Sequence, residues 1–135
     1  MGRYYDGDIE GKWWFGVQSS TTPERFGADA TFVDYRICND EDFKDEMKEL
    51  KKGLGDKRKT LDEFFKKNNG YNDAMLMEFF KAKYPNYTKE NLTTDLSDYA
   101  DYQFGLDVAE YFKETGENYC NLSSELWLKW NLLKG

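Results

Sequence analysis

The chain has 135 residues, 33% charged and 18% aromatic, with 26 acidic residues against 19 basic ones and a net charge of −7. That is the make-up of a single globular domain over residues 1–135, long enough to bury a core without cross-links, and it excludes a disordered segment. A net-acidic domain is repelled by a phosphate backbone, which argues against direct nucleic-acid binding, and no apolar run approaches the roughly 18 residues that a membrane span needs.

Taken in chain order, the opening from Arg3 to Ser20 mixes aromatics, glycines and charges on a segment that reads as loop plus strand. Trp13, Phe15 and Val17 alternate with Trp14, Gly16 and Gln18, which predicts a strand over Lys12–Ser20. Pro23 and Gly27 break the next stretch into a loop over Ser19–Ala30. Thr31, Val33, Tyr35 and Ile37 then share one face of a second strand, Thr31–Cys38.

Helices follow. Asn39 or Asp40 caps a helix over about Glu41–Lys52, whose Phe43, Met47, Leu50 and Leu54 form one apolar stripe, stopped by Gly53 and Gly55. Thr60 with Glu63 has the spacing of a capping box for a short helix carrying Leu61, Phe64 and Phe65. Asn72 caps a third, which Pro85 ends after Tyr84. From Asp95 to Thr115, apolar residues cover most of the circumference, so this helix is expected to be buried on several sides, with Leu106 among its core residues. The tail from Tyr119 fits either periodicity. A strand over Tyr119–Trp127, returning beside the first strand, is the favoured reading, and it would let Cys38 and Cys120 become neighbours. The fold class is α+β: a small antiparallel sheet, made of the N-terminal strands and a returning C-terminal strand, packed by three to four helices.

The chain contains no histidine. That removes serine triads, Cys–His pairs and most zinc sites, and neither a glycine-rich phosphate loop nor a dinucleotide fingerprint is present. No metal site and no cofactor are expected. Asp6, Asp8 and Glu10 alternate before a glycine but lack the rest of a calcium loop. Asp107 and Glu110, one turn apart, have the spacing to share a hard cation or to act as acid and base; otherwise they are an exposed helix strip.

The constellation that points to recognition is Arg3, Tyr5, Lys12, Trp14, Gln18, Ser20 and Arg25. Cations pair with phosphate, aromatic faces stack on rings, and amide and hydroxyl groups fix orientation. These seven are the expected ligand-binding residues, on one surface or in one pocket that a second subunit of a homo-oligomer could complete. Three readings follow: a binding protein that sequesters a small nucleotide-derived signal; an acidic inhibitor that binds a host protein, for which the Asp95–Asp101 segment is the candidate interface; and a carboxylate-based enzyme. The first is favoured, because the cations and aromatics sit beside glycines that permit close approach.

The opening Gly2-Arg3-Tyr4-Tyr5, then Gly7-Asp8-Ile9-Glu10-Gly11-Lys12, then Gln18-Ser19-Ser20, resembles the openings of small uncharacterised proteins of phages and large DNA viruses. The stretch Gly105–Leu126 resembles how such proteins end. The resemblance covers about a third of the chain and brings no functional residues with it. It implies a viral accessory protein in the host cytoplasm, acting against host defence.

Overall fold

The computed structural model describes residues 3–14, 16–31, 34–68 and 70–125. The chain begins with strand β1 (Arg3–Gly7), which turns into β2 (Gly11–Trp13). A four-residue helix α1 (Thr22–Arg25) leads to a second hairpin, β3 (Asp29–Thr31) and β4 (Asp34–Cys38). Helices α2 (Glu41–Leu54), α3 (Asp56–Lys67), α4 (Asp73–Lys83) and α5 (Lys89–Thr115) follow, and β5 (Tyr119–Glu125) closes the described chain. The fold is α+β, as the sequence leads one to expect.

The sheet is antiparallel, with strand order β2-β1-β5-β4-β3. The last strand therefore lies in the middle, between two hairpins made much earlier in the chain. It pairs with β1 through Tyr4↔Glu125 and Asp6↔Ser123, and with β4 through Arg36↔Asn121 and Ile37↔Cys120. Gly7 shows how tightly β1 and β5 meet. Its φ is +145°, and a Cβ there would stand 2.5 Å from the carbonyl oxygen of Asn121, so the position requires glycine.

Strand periodicity divides the sheet into two unlike faces. Tyr5, Trp13, Tyr35, Ile37, Cys120 and Leu122 are buried on the inner face, under the helices. Tyr4, Asp6, Lys12, Asp34, Arg36, Tyr119 and Asn121 are exposed on the outer face. Cys120 lies opposite Ile37 and shares its buried face, whereas Cys38 is one residue further on and points outward. The two thiols are near in the ladder but on opposite sides of the sheet, and both are free.

Helix α5 is the spine. It packs on β5 and against α2, α3 and α4. Tyr99, Phe104 and Val108 are buried, but Leu106 is 39% exposed, so one residue expected in the core stays outside. An aromatic chain runs from the sheet through this helix: Phe104 meets Tyr5 edge-on at 5.3 Å and Trp13 at 5.1 Å, then Phe26 at 5.8 Å, and Phe26 meets Phe43 at 5.6 Å. Gly105 makes room for this packing, because a Cβ there would come within 3.0 Å of the Phe26 ring and overlap the Met47 sulfur.

Several expected elements change in extent. The first strand ends at Trp13, and the amides of Val17 and Gln18 fold back onto the carbonyl of Trp14. A turn, not a strand, follows, and it carries Trp14 inward too. The strand expected over Thr31–Cys38 is a hairpin in which Thr31 pairs with Asp34, because period-2 alternation does not register a chain reversal. The loop over Ser19–Ala30 contains α1. Thr60 does not start a helix: α3 already runs from Asp56, and the Thr60 hydroxyl donates to the Asp56 carbonyl one turn back. Helix α5 begins at Lys89, behind a Thr88–Asn91 capping box. Phe15, Val33 and the tail beyond Glu125 lie outside the described residues.

Candidate functional site

Of the seven expected recognition residues, the six whose side chains are described divide among the interior, the outer face of the sheet and the surroundings of α1. Tyr5 is 7% exposed in the core, and its phenol pKa is pushed up to about 12, first by burial and then by Asp107 and Cys120. Lys12 is on the outer face, with its ammonium 5.8 Å from the Tyr4 ring centroid. Trp14 packs inward against Phe65, Tyr71 and Tyr99. The side chain of Arg3 lies outside the described residues; its backbone pairs with Trp13.

Gln18, Ser20 and Arg25 are brought close to one another, but by groups within the protein. Gln18 is buried, donates to Asp101 at 2.9 Å and accepts from the Trp14 amide at 3.1 Å. The Thr22 hydroxyl donates to the same Asp101 oxygen at 2.9 Å. Arg25 bridges Glu46 at 2.7 Å, Asp101 at 3.0 Å and Asp98 at 3.1 Å. Burial opposes the Arg25 charge, but bonds to Glu46 and Asp101, with Asp98 beside them, outweigh it and raise its pKa. The Ser20 carbonyl accepts from Ser124, whose hydroxyl also takes the Trp13 indole N–H. A phosphate would have to displace three carboxylates from Arg25, so the guanidinium is committed to tying α1 onto α2 and α5.

The acidic segment Asp95–Asp101 is likewise turned inward. Asp95 is 6% exposed, accepts from the Tyr87 hydroxyl at 2.5 Å and pairs with Lys57 at 3.3 Å. Asp101 is also 6% exposed. In this segment, expected as an interface, all three aspartates face the protein's own cations and hydroxyls. Asp107 and Glu110 are exposed on α5; burial first, then Glu110, raises the Asp107 pKa. Among the described residues, no group of three carboxylates or thiols is placed to hold a metal ion, and no helix is long and apolar enough to cross a membrane.

What remains open is the outer face of the sheet. A groove of about 580 Å³ runs across β1, β5 and β4, with Gly7 in its lining and Asp6, Asp8, Asp34, Arg36, Cys38, Asn121 and Ser123 around it. The cross-strand register builds it. Ser123 stands between Asp6 and Asp34, and its hydroxyl donates to Asp34 at 2.5 Å. Next along the strands, Asn121 pairs with Arg36, and its amide donates to the Asp8 carboxylate at 2.7 Å.

Arg36 is held on two sides. Its Nε donates to Asn121 Oδ1 at 2.9 Å, and its guanidinium stacks 4.9 Å from the centroid of Tyr119. Among the residues whose side chains are described, no carboxylate lies within ion-pairing distance of it. The terminal N–H groups therefore point outward from a fixed plane. Sequence reasoning passed over this region because Asp34, Arg36, Asn121 and Ser123 form no spaced motif. The alternation of charge with Tyr35, Ile37, Cys120 and Leu122 was the available signal. Comparison with protein-family models, with curated proteins and with solved structures finds no match for this chain.

Proposed function

We propose that this protein is a non-catalytic binding module, an acidic inhibitor that takes a basic, extended segment of a host protein on the open face of its sheet. The observation that carries this reading is the groove. Asp6, Asp8 and Asp34 surround it, Arg36 is the single cation among the described residues that line it, and no described helix covers that face. Complementary charge speeds encounter and selects partners, and a chain of net charge −7 favours a basic one. Resemblance of the opening residues to phage and large-DNA-virus proteins supports a viral accessory role in the host cytoplasm.

Capture of a small nucleotide-like signal in the same groove is the second reading. It is favoured by the groove's size, within the roughly 300–1,000 Å³ of small-molecule sites, and by Arg36 stacked on Tyr119. The aspartates that flank Arg36 oppose a phosphate, which places this reading second.

Cys38 offers a direct test, since it lines the groove while Cys120 is buried on the other side of the sheet. Alkylation of Cys38 should slow when a lysine-rich peptide is bound, and Asp6→Lys with Asp34→Lys should abolish both binding and protection. Protection by nucleotides and not by basic peptides, lost in Arg36→Ala, would replace the first reading with the second. If neither protects Cys38, the groove is not the binding face.

A further inference from the structure

We infer that Arg36 is a carboxylate-binding subsite, so that the segment docked on the open face carries an acidic residue two positions from a basic one. This rests on the reading that the open face binds an extended peptide. Three observations carry it. The first is preorganisation. The Nε–Asn121 bond and the Tyr119 ring fix the guanidinium plane, and Asn121 is itself anchored through its backbone to Asp8. A fixed fork loses little freedom when its outer N–H pair accepts a planar carboxylate.

The second is vacancy. Arg25 meets three carboxylates within the fold, whereas Arg36 meets none among the side chains described. The third is spacing. Asp34 and Arg36 are two residues apart on one strand and point to the same side, about 7 Å apart along the strand. An extended peptide also presents alternate side chains to one side with that repeat. A lysine over Asp34 and Ser123 therefore places a glutamate two residues away over Arg36.

The surrounding aspartates set the selectivity. Asp6, Asp8 and Asp34 give the groove a negative field that discourages a bare anion, so acetate or inorganic phosphate should not occupy Arg36. A carboxylate flanked by ammonium groups brings its own compensation. The subsite thus rejects uniformly acidic segments and discriminates among basic ones.

The test uses two blocked synthetic peptides, Lys-Ser-Glu-Ser-Lys and the same sequence with glutamine for glutamate, titrated calorimetrically and by protection of Cys38. A third peptide, ending in Lys-Ser-Gln with a free C-terminus, carries a chain-terminal carboxylate and no side-chain one; binding it as tightly as the glutamate peptide would overturn the side-chain assignment. The glutamate peptide should bind about tenfold tighter than the glutamine peptide, as expected for one charge-assisted contact. Arg36→Gln should erase that preference while leaving the glutamine peptide's affinity unchanged or improved. Arg36→Lys should keep part of the preference. Since Arg36 is exposed, circular dichroism should show all variants folded. Equal affinities for both peptides on the native protein, or a preference that survives Arg36→Gln, overturn the subsite alone. Failure of every peptide to bind overturns the open-face reading and the subsite together.

Discussion

Two sets of three aspartates occupy this protein in opposite ways. Asp95, Asp98 and Asp101 lie on one side of α5 and are drawn into ion pairs and hydrogen bonds with Lys57, Tyr87, Arg25, Gln18 and Thr22. Asp6, Asp8 and Asp34 line a sheet face; Asp34 accepts from Ser123, Asp8 accepts from the Asn121 amide and hydrogen-bonds Tyr111, and all three remain exposed without an ion pair among the described side chains. The first set has the compact helical spacing that looks like an interaction strip. The second is scattered in sequence and is assembled by strand register. Spacing along the chain therefore says little about which acids are available to a partner; what sits across from them decides.

The sharpest way to break the comparison is Asp101→Ala. It strips Gln18 and Thr22 of their acceptor and removes one of the carboxylates on Arg25, so a loss of about 3 kcal/mol is expected in urea unfolding. Asp34→Ala, on the outer face, should change stability by less than about 0.5 kcal/mol. Equal losses would mean that the two sets do not differ.

Asp95→Asn should cost less, about 1–2 kcal/mol, since Tyr87 can still donate to the amide oxygen while the charge opposite the half-exposed Lys57 is gone. In an Asp95→Ala background, where that acceptor is gone, Tyr87→Phe should add little, because the two share one bond. Full additivity would place the Asp95 contribution elsewhere.

The buried Cys120 sharpens the contrast of faces through pH. Burial first, then Asp8, raises the Cys120 thiol from 9.0 to about 12. Below about pH 9 the thiol is protonated whether the chain is folded or not, and its contribution is fully present. As pH rises, the unfolded chain releases that proton first, so stability should fall between pH 9 and 12. Tyr5, raised from 10.0 to about 12, adds loss in the same direction. Chemical denaturation across this range should show a shallower fall in Cys120→Ala. The smallest effect belongs to Asp6→Asn, which should leave unfolding within about 0.5 kcal/mol of the parent and weaken only peptide binding.

Much of the helical layer was legible. The Phe43–Leu54 stripe, the Asn72 cap and the stop at Gly116 are local signals, and the structure uses each of them. Thr60 misled because a Thr-x-x-Glu pattern also occurs inside helices, where only tertiary context tells it from a cap. The partners of Gln18 and Arg25 were not legible at all. Asp101 is 83 and 76 residues away, and no local pattern reports which acid a fold will bring to a given base. The groove was half legible: alternation marks Asp34 and Arg36 as outward-facing, but their meeting with Asn121, Ser123, Asp6 and Asp8 depends on where β5 inserts.

That insertion also has a bearing on biosynthesis. As the chain leaves the ribosome, both hairpins and the described helices α1 to α5 emerge before the strand that must lie between β1 and β4. Until then the inner edges of β1 and β4 have no mate, and the groove does not exist. Recognition through that face is switched on late, by the arrival of a central strand. A nascent chain should engage no target there, and its exposed strand edges are the places where a chaperone would hold it.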